Sequence, residues 1–244
     1  MRVKAVIAYD GSRFFGYQSQ TTTTRTVAGA LQRTAQSLGI ESPIVASGRT
    51  DRGVHATGQV IHFDVPPHWQ TRLKRLRELF NRRFEGSVRF KHITPVDETF
   101  HARFDARRRI YRYLIKQTEP SPFEAPFCHY LPALDLTALR KALSVFEGEH
   151  DFNLFHKTGS DPASTIRTIY RAYAIESGRY VRIYFEANGF LRGQVRLMTA
   201  TALAAAEKKV AIEAIKEQLK GQRRFQLAPV PPNGLYLARV LYTP

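Results

Sequence analysis

The order of apolar periodicities along this chain occurs twice, and that recurrence restricts the architecture more than any other feature of the sequence. Residues 2 to 10 (RVKAVIAYD) read as a strand, and residues 26 to 38 as a helix. Thr26 is the expected N-cap, Val27, Ala30, Leu31, Ala35 and Leu38 share one face, and Gly39 follows the end. Two strands come next, at 43 to 47 and 58 to 65. Leu73, Leu76, Phe80 and Phe84 then mark a second helix, and a strand at 87 to 94 completes β-α-β-β-α-β. The second half repeats the order. Its parts are a strand at 109 to 116, a helix at 136 to 147, strands at 166 to 176 and 180 to 187, a helical region from 190 to 220 broken near Lys209, and a strand at 235 to 242. The prediction is an α+β protein of two ferredoxin-like units, each a mainly antiparallel sheet with helices on one face. The expected domains are 1–97 and 98–244, with Pro95, Val96 and Asp97 near the boundary. The Pro-rich stretch 118 to 132 is the longest expected loop and lies inside the second unit.

A sheet backed by helices on one side leaves its other face free, and RNA-recognition modules take up nucleotides on such a face. The same architecture serves unrelated functions, so it permits an RNA binder without establishing one. Charge narrows the choice. Thirty-seven Lys and Arg against 21 Asp and Glu leave a net +16, which opposes compaction unless solvent ions or a polyanion balance it, so nucleic acid is the leading partner. These cations fall within periodic segments and therefore decorate a folded surface. The helix near 73 to 84 is densest, with Arg72, Lys74, Arg75, Arg77, Arg82 and Arg83, a face suited either to phosphates or to solvent. No stretch approaches the roughly 20 apolar residues of a membrane span. The opening MRVKAVIAYDGS lacks a signal peptide's apolar core, which makes the cytoplasm the expected location. The single cysteine, Cys128, leaves no pair for a disulfide or a zinc site and is expected to be a small buried residue.

The segment GRTDRGVHAT, residues 48 to 57, lies between two expected strands, and loops held by strands often carry function. Asp51 stands among Arg49 and Arg52. Cations within reach hold a carboxylate ionised at neutral pH, and an ionised, oriented carboxylate serves as nucleophile or base. On the residues alone, an Asp among arginines also reads as a loop salt bridge or a turn cap. Two other chemistries fit less well. His55, His62, His92 and His101 match no zinc spacing, and a glycosidase needs a second carboxylate at the bond.

The string GRTDRGVHATGQV resembles the catalytic motif of the tRNA pseudouridine synthase A family, a GRTDxGVHA pattern with a fixed Asp. The resemblance continues through YDGSRFFGYQSQ at 9 to 20, FHARFDA at 100 to 106, RRIYRYLI at 108 to 115, GEHDFNLF at 148 to 155, NGFLRGQVR at 188 to 196 and GLYLARV at 234 to 240. It implies a two-domain fold with the active site in the cleft between the halves, a homodimer, no cofactor and no metal. The implied substrate is tRNA, and the implied targets are uridines 38 to 40 of the anticodon stem-loop. Carried over residue by residue, Asp51 matches the catalytic carboxylate, Tyr111 the active-site tyrosine and Arg196 the basic residue that pairs with the carboxylate. Arg49 and Leu235 match pocket positions, and Arg103 in FHARF is expected to contact RNA or the pocket.

Tyr111 offers an aromatic face for the base and a hydroxyl able to accept or relay a proton. Without the resemblance it reads as a core tyrosine on the same strand face as Tyr113. Arg196 likewise reads as a surface charge beside a buried stripe of Leu191, Val195 and Met198. His101 is expected to be a hydrogen-bonded structural group. The chain departs from the family pattern at several places: Gly193 and Gln194 stand for His and Met, Tyr17 for Trp, and Ala28 for Gln. NRRFEGSV at 81 to 88 lacks the family's proline-containing turn. The alternative reading is an RNA-binding protein without catalysis.

Overall fold

A computed structural model describes residues 1–157, 159, 162–225 and 228–243. The chain forms two compact units, one of Met1–Arg107 with Tyr236–Pro244, the other of Arg108–Leu235. It is a mixed α+β protein, with six α-helices among the described residues and sheets that are mostly antiparallel.

In the first unit the chain runs β1 (Arg2–Tyr9), α1 (Val27–Gln36), β2 (Val45–Ala46), β3 (His55–Asp64), α2 (Pro67–Gln70), α3 (Leu73–Phe84) and β4 (Val88–Pro95). β1 lies between β3 and β4 and is antiparallel to both, while the short β2 pairs with Ile61 and His62 of β3. Alternation decides which side of β1 is covered: Val3, Ala5, Ile7 and Tyr9 are buried, and the residues between them are half-exposed. Val27, Leu31 and Ala35 of α1 and Leu76, Phe80 and Phe84 of α3 are buried at helical spacing. Phe80 stacks on Phe90 of β4 with ring centroids 4.1 Å apart. The Thr26 hydroxyl accepts the Gly29 N–H at 3.2 Å, as its N-cap reading requires. α3 stops without proline, because Glu85 and Gly86 both take left-handed backbone, φ 47° and 83°.

In the second unit the order is β5 (Arg108–Lys116), β6 (His129–Tyr130), α4 (Leu136–Ser144), β7 (Gly148–Asp151), β8 (Ile166–Ser177), β9 (Tyr180–Ala187), α5 (Gln194–Ala206) and α6 (Ile212–Leu219). β9 lies between β5 and β8, and β7 flanks β8, all antiparallel, while β6 adds to β5 in parallel. Leu139, Ala142 and Leu143 of α4 are buried, and α5 is buried on nearly every side, as its sequence QVRLMTATALAAA allows. Its buried Thr199 and Thr201 hydroxyls donate to the carbonyls four residues back, at 2.7 and 2.9 Å, so neither polar group is left unsatisfied.

The last strand, β10 (Leu235–Leu241), pairs in parallel with β3 through Tyr236 with His55 and Leu237 with Ala56. This pairing draws the C-terminal residues into the first unit, whose first segment runs to Arg107 where sequence reading puts a boundary at 97. The residues between are tied back as well: Tyr242 donates its hydroxyl to the Ala102 carbonyl at 2.7 Å, and Arg107 N–H donates to Leu241 O at 2.8 Å. Among the described residues no helix is long and apolar enough to cross a membrane.

Candidate active-site loop and its partners

Asp51 lies half-buried in the loop that joins β2 to β3. Contacts on its neighbours hold that loop. The Tyr9 hydroxyl and Thr50 Oγ1 are 2.8 Å apart, and Tyr17 N–H donates to the Thr50 carbonyl at 3.0 Å. Ser47 donates to Gln59 Oε1 at 2.6 Å, and Gln59 Nε2 donates to the Gly48 carbonyl at 2.9 Å. Beyond Asp51, the Val54 N–H returns to the Asp51 carbonyl at 3.1 Å, a tight turn made possible by Gly53 at φ 78°. Segment 9 to 18 thus serves as a brace for the loop. The same segment engages both neighbouring arginines: Arg49 donates to Gln18 Oε1, and the Arg52 guanidinium lies 4.3 Å from the Phe15 ring centroid.

His55 belongs to this brace. Its Nδ1 accepts the Gly11 N–H at 3.0 Å, and its ring stacks on Tyr236 at 4.9 Å. Gly11 is needed for space, since a β-carbon there would lie 2.0 Å from the Val54 carbonyl oxygen. A Gly11→Ala protein is expected to lose about 1–3 kcal/mol of stability through this backbone collision. The midpoint of urea unfolding measures it, and an unchanged midpoint would mean that the loop yields freely. Burial pushes the Tyr9 hydroxyl up to about 12 and raises that of Tyr17 further, so both stay protonated. The Tyr17 hydroxyl is buried with no hydrogen-bond partner among the described residues.

Arg103 sits on an exposed turn of the first unit, beside Phe104, which is 75% exposed. His101 Nδ1 accepts the N–H groups of Arg103 and Phe104, both at 3.2 Å, and His62 Nδ1 accepts that of Ala102 at 3.1 Å. Burial, with Arg2 and His101 nearby, holds His62 below its ordinary value and favours the neutral ring that this bond needs. His101 is the structural group that its setting in FHARF suggested. Among the described residues no group of three or more His, Cys, Asp or Glu could hold a metal ion.

In the second unit, Tyr111 and Tyr113 share one face of β5 and differ in environment. Tyr113 is fully buried, and its hydroxyl lies 2.8 Å from His129 Nδ1 and 2.9 Å from the Pro231 carbonyl. Tyr111 is half-buried, pairs across to Phe185 on β9, and meets the Phe190 ring edge-on at 5.2 Å. Arg196, in the first turn of α5, donates from Nε to the Val230 carbonyl at 2.7 Å. It is half-buried where helical periodicity alone suggests a surface charge. Leu235, the first residue of β10, is buried. The two departures before Val195 are built into the start of α5: Gly193 takes φ 72°, and Gln194 accepts the Leu191 N–H at 2.7 Å.

The tRNA pseudouridine synthase family matches this chain over residues 5–105 and 142–243. The chain belongs to that family. A tRNA pseudouridine synthase A from Helicobacter hepaticus is 42% identical over 246 residues, covering 98% of both chains. The tRNA pseudouridine synthase A of a Geobacillus species is 38% identical, covering 99% of this chain and 98% of its own. One from Campylobacter jejuni is 37% identical, covering 99% of this chain and all of its own. Asp51, Arg49 and Arg103 fall in the first stretch matched to the synthase family and Arg196 and Leu235 in the second, whereas Tyr111 falls between them.

Sequence reading did not find Tyr9, His55 or Gln59 as supports of the loop. Each acts through a partner that becomes its neighbour only when β1, β3 and the loop are assembled.

Proposed function

We propose that this chain, an isomerase of the tRNA pseudouridine synthase family, converts uridine to pseudouridine at positions 38 to 40 of the tRNA anticodon stem-loop. The observation that carries the reading is the Asp51 loop, whose motif matches the family's and whose neighbours Thr50, Gly48 and Val54 are each tied down. Asp51 assists cleavage of the glycosidic bond, by attacking the sugar or by taking a sugar proton. The freed base turns and rejoins through carbon; the proton lost from that carbon is relayed through the Tyr111 hydroxyl, and the ring nitrogen that left the sugar takes one up, so no proton is gained or lost overall. The reaction is redox-neutral, and the resemblance implies neither cofactor nor metal. Arg196 supplies positive charge for the carboxylate. Arg49 and Leu235 line the base pocket, and Arg103, projecting from its turn, contacts RNA.

Strand order β4-β1-β3-β2 is that of a ferredoxin-like unit, and β5-β9-β8 with α4 and α5 fits a second. The resemblance further supports a homodimer, and the lack of an apolar span or leader core in the sequence favours the cytoplasm. The test is incubation with transcribed tRNA followed by chemical mapping of pseudouridine. Product at positions 38 to 40 is expected. Tight binding with no product would favour the RNA-binding alternative, and product confined to another arm would overturn the assigned target.

A further inference from the structure

The first unit carries a groove of about 480 Å³ between α3 and β4, with no residue of the Asp51 loop in its lining. Phe90 and Asn81 line it together with Arg77, Arg89, Lys91 and His92, and Glu78 is its one acid. Residues 72 to 95 hold eight Lys and Arg against two Glu, so this short stretch concentrates the positive charge of the chain. Glu78 adds little negative potential, because Arg75 pairs with it at 3.5 Å.

The groove owes its shape to a bulge. Val6 pairs with His92 and Ile7 with Phe90, which leaves Lys91 as the extra residue of β4, and such a residue re-aims its neighbours' side chains. Asn81 fills the gap: its Oδ1 accepts the Phe90 N–H at 2.7 Å and its Nδ2 donates to the Phe90 carbonyl at 3.0 Å. Arg77 donates to the Lys91 carbonyl at 3.1 Å. These backbone groups of the strand are therefore occupied, which disfavours an added β-strand as the occupant. What remains exposed is cationic. Arg89, Lys91 and His92 all face solvent.

The groove also lies at the catalytic end of the unit. Tyr9 pairs with Ala56 on one side and Val88 on the other, so the start of β4 is level with the start of β3, which the Asp51 loop feeds. Two strand spacings separate them, about 10 Å. Lys91 Nζ reaches the Thr57 carbonyl at 2.6 Å and ties the bulge to that end of β3.

We infer that the α3–β4 groove binds backbone phosphates of the substrate RNA beyond the reacting nucleotide, with Arg89 and Lys91 as the principal contacts. The inference rests on the reading of tRNA as substrate. It assigns the groove to affinity and register and leaves the chemical step to the loop.

The test replaces both cations, Arg89→Gln with Lys91→Gln, and compares the protein with a control of equal charge, Lys141→Gln with Lys216→Gln, exposed positions on α4 and α6. A third protein, Arg89→Lys with Lys91→Arg, keeps the charge. Dissociation constants for transcribed tRNA are measured across a salt series, and single-turnover rates with protein at saturation. Loss of two phosphate contacts should lower the slope of log affinity against log salt by about 1.4–1.8 and weaken binding about 15- to 30-fold at 0.15 M salt. The saturated rate should stay within about twofold, and the charge-keeping protein should bind like the parent. The inference is overturned if the groove variant weakens no more than the control, or if the charge-keeping protein weakens as much as the Gln variant. Failure of the parent itself to form pseudouridine would sink the synthase reading, while the binding comparison would still judge the groove.

Discussion

Replacing Asp51 by Asn should abolish pseudouridine formation and leave tRNA binding intact. The amide keeps the size of the carboxylate and removes the charge on which either form of the chemistry depends. The loop should keep its shape, because its ties run through the Thr50 hydroxyl and carbonyl, the Gly48 carbonyl and the backbone turn to Val54. Affinity comes mainly from Lys and Arg on phosphates, and the cost of unstacking the target base is met by binding contacts rather than by Asp51. A loss of at least about a thousandfold in rate is expected, roughly 4 kcal/mol of transition-state stabilisation. The measurement is a stoichiometric single turnover on transcribed tRNA, followed by mapping of the anticodon arm. Product within tenfold of the parent's rate would remove Asp51 from the catalytic role.

Tyr111→Phe is the second large effect. The ring keeps its edge-on contact with Phe190, so base stacking and tRNA affinity should hold, while the hydroxyl proposed to handle the proton is gone. A fall in turnover of about 10²- to 10⁴-fold is the scale for a lost acid–base group. Tyr113→Phe provides the comparison two residues along the strand. It strips a hydroxyl from His129 and the Pro231 carbonyl, so it should cost about 1–3 kcal/mol of stability with the chemistry largely spared. Equal turnover losses in the two variants would show that Tyr111 acts through packing.

The elements that were legible in the sequence are those whose burial follows a local period. Val27, Leu31 and Ala35 announce α1, and Leu76, Phe80 and Phe84 announce α3, because one face of each helix must be apolar whatever it packs against. β7 escaped notice, since GEHD has no apolar alternation and is a strand only through its pairing with β8. α2 is a single turn opened by prolines, too short to show a period. α5 misled a reading of Arg196 as a surface charge, because periodicity reports one covered stripe and this helix is covered almost all round.

The candidate site divides along the same line. Asp51 stands in a contiguous motif and could be named as a candidate from the sequence. The supports at Tyr9, His55 and Gln59 depend on the register of β1 against β3 and on the path of the loop, which no local window contains. The difference between Tyr111 and Tyr113 is likewise set by neighbours, since strand alternation puts them on the same face.

The parallel pairing of β10 with β3 also sets a schedule for the growing polypeptide. Thr57 and Ala238, brought together beside that pairing, are 181 residues apart in sequence. At translation speeds of roughly 5–20 residues per second, about 10–40 s pass between synthesis of the first and arrival of the second. During that interval the start of β3 emerges with one flank bare, next to the loop that carries Asp51. An unpaired strand edge is a template for stray association, so the nascent chain is exposed to mispairing beside the loop proposed to carry its chemistry. Slow codons within the intervening stretch would lengthen that window, and a chaperone that covers bare strand edges would be needed most there.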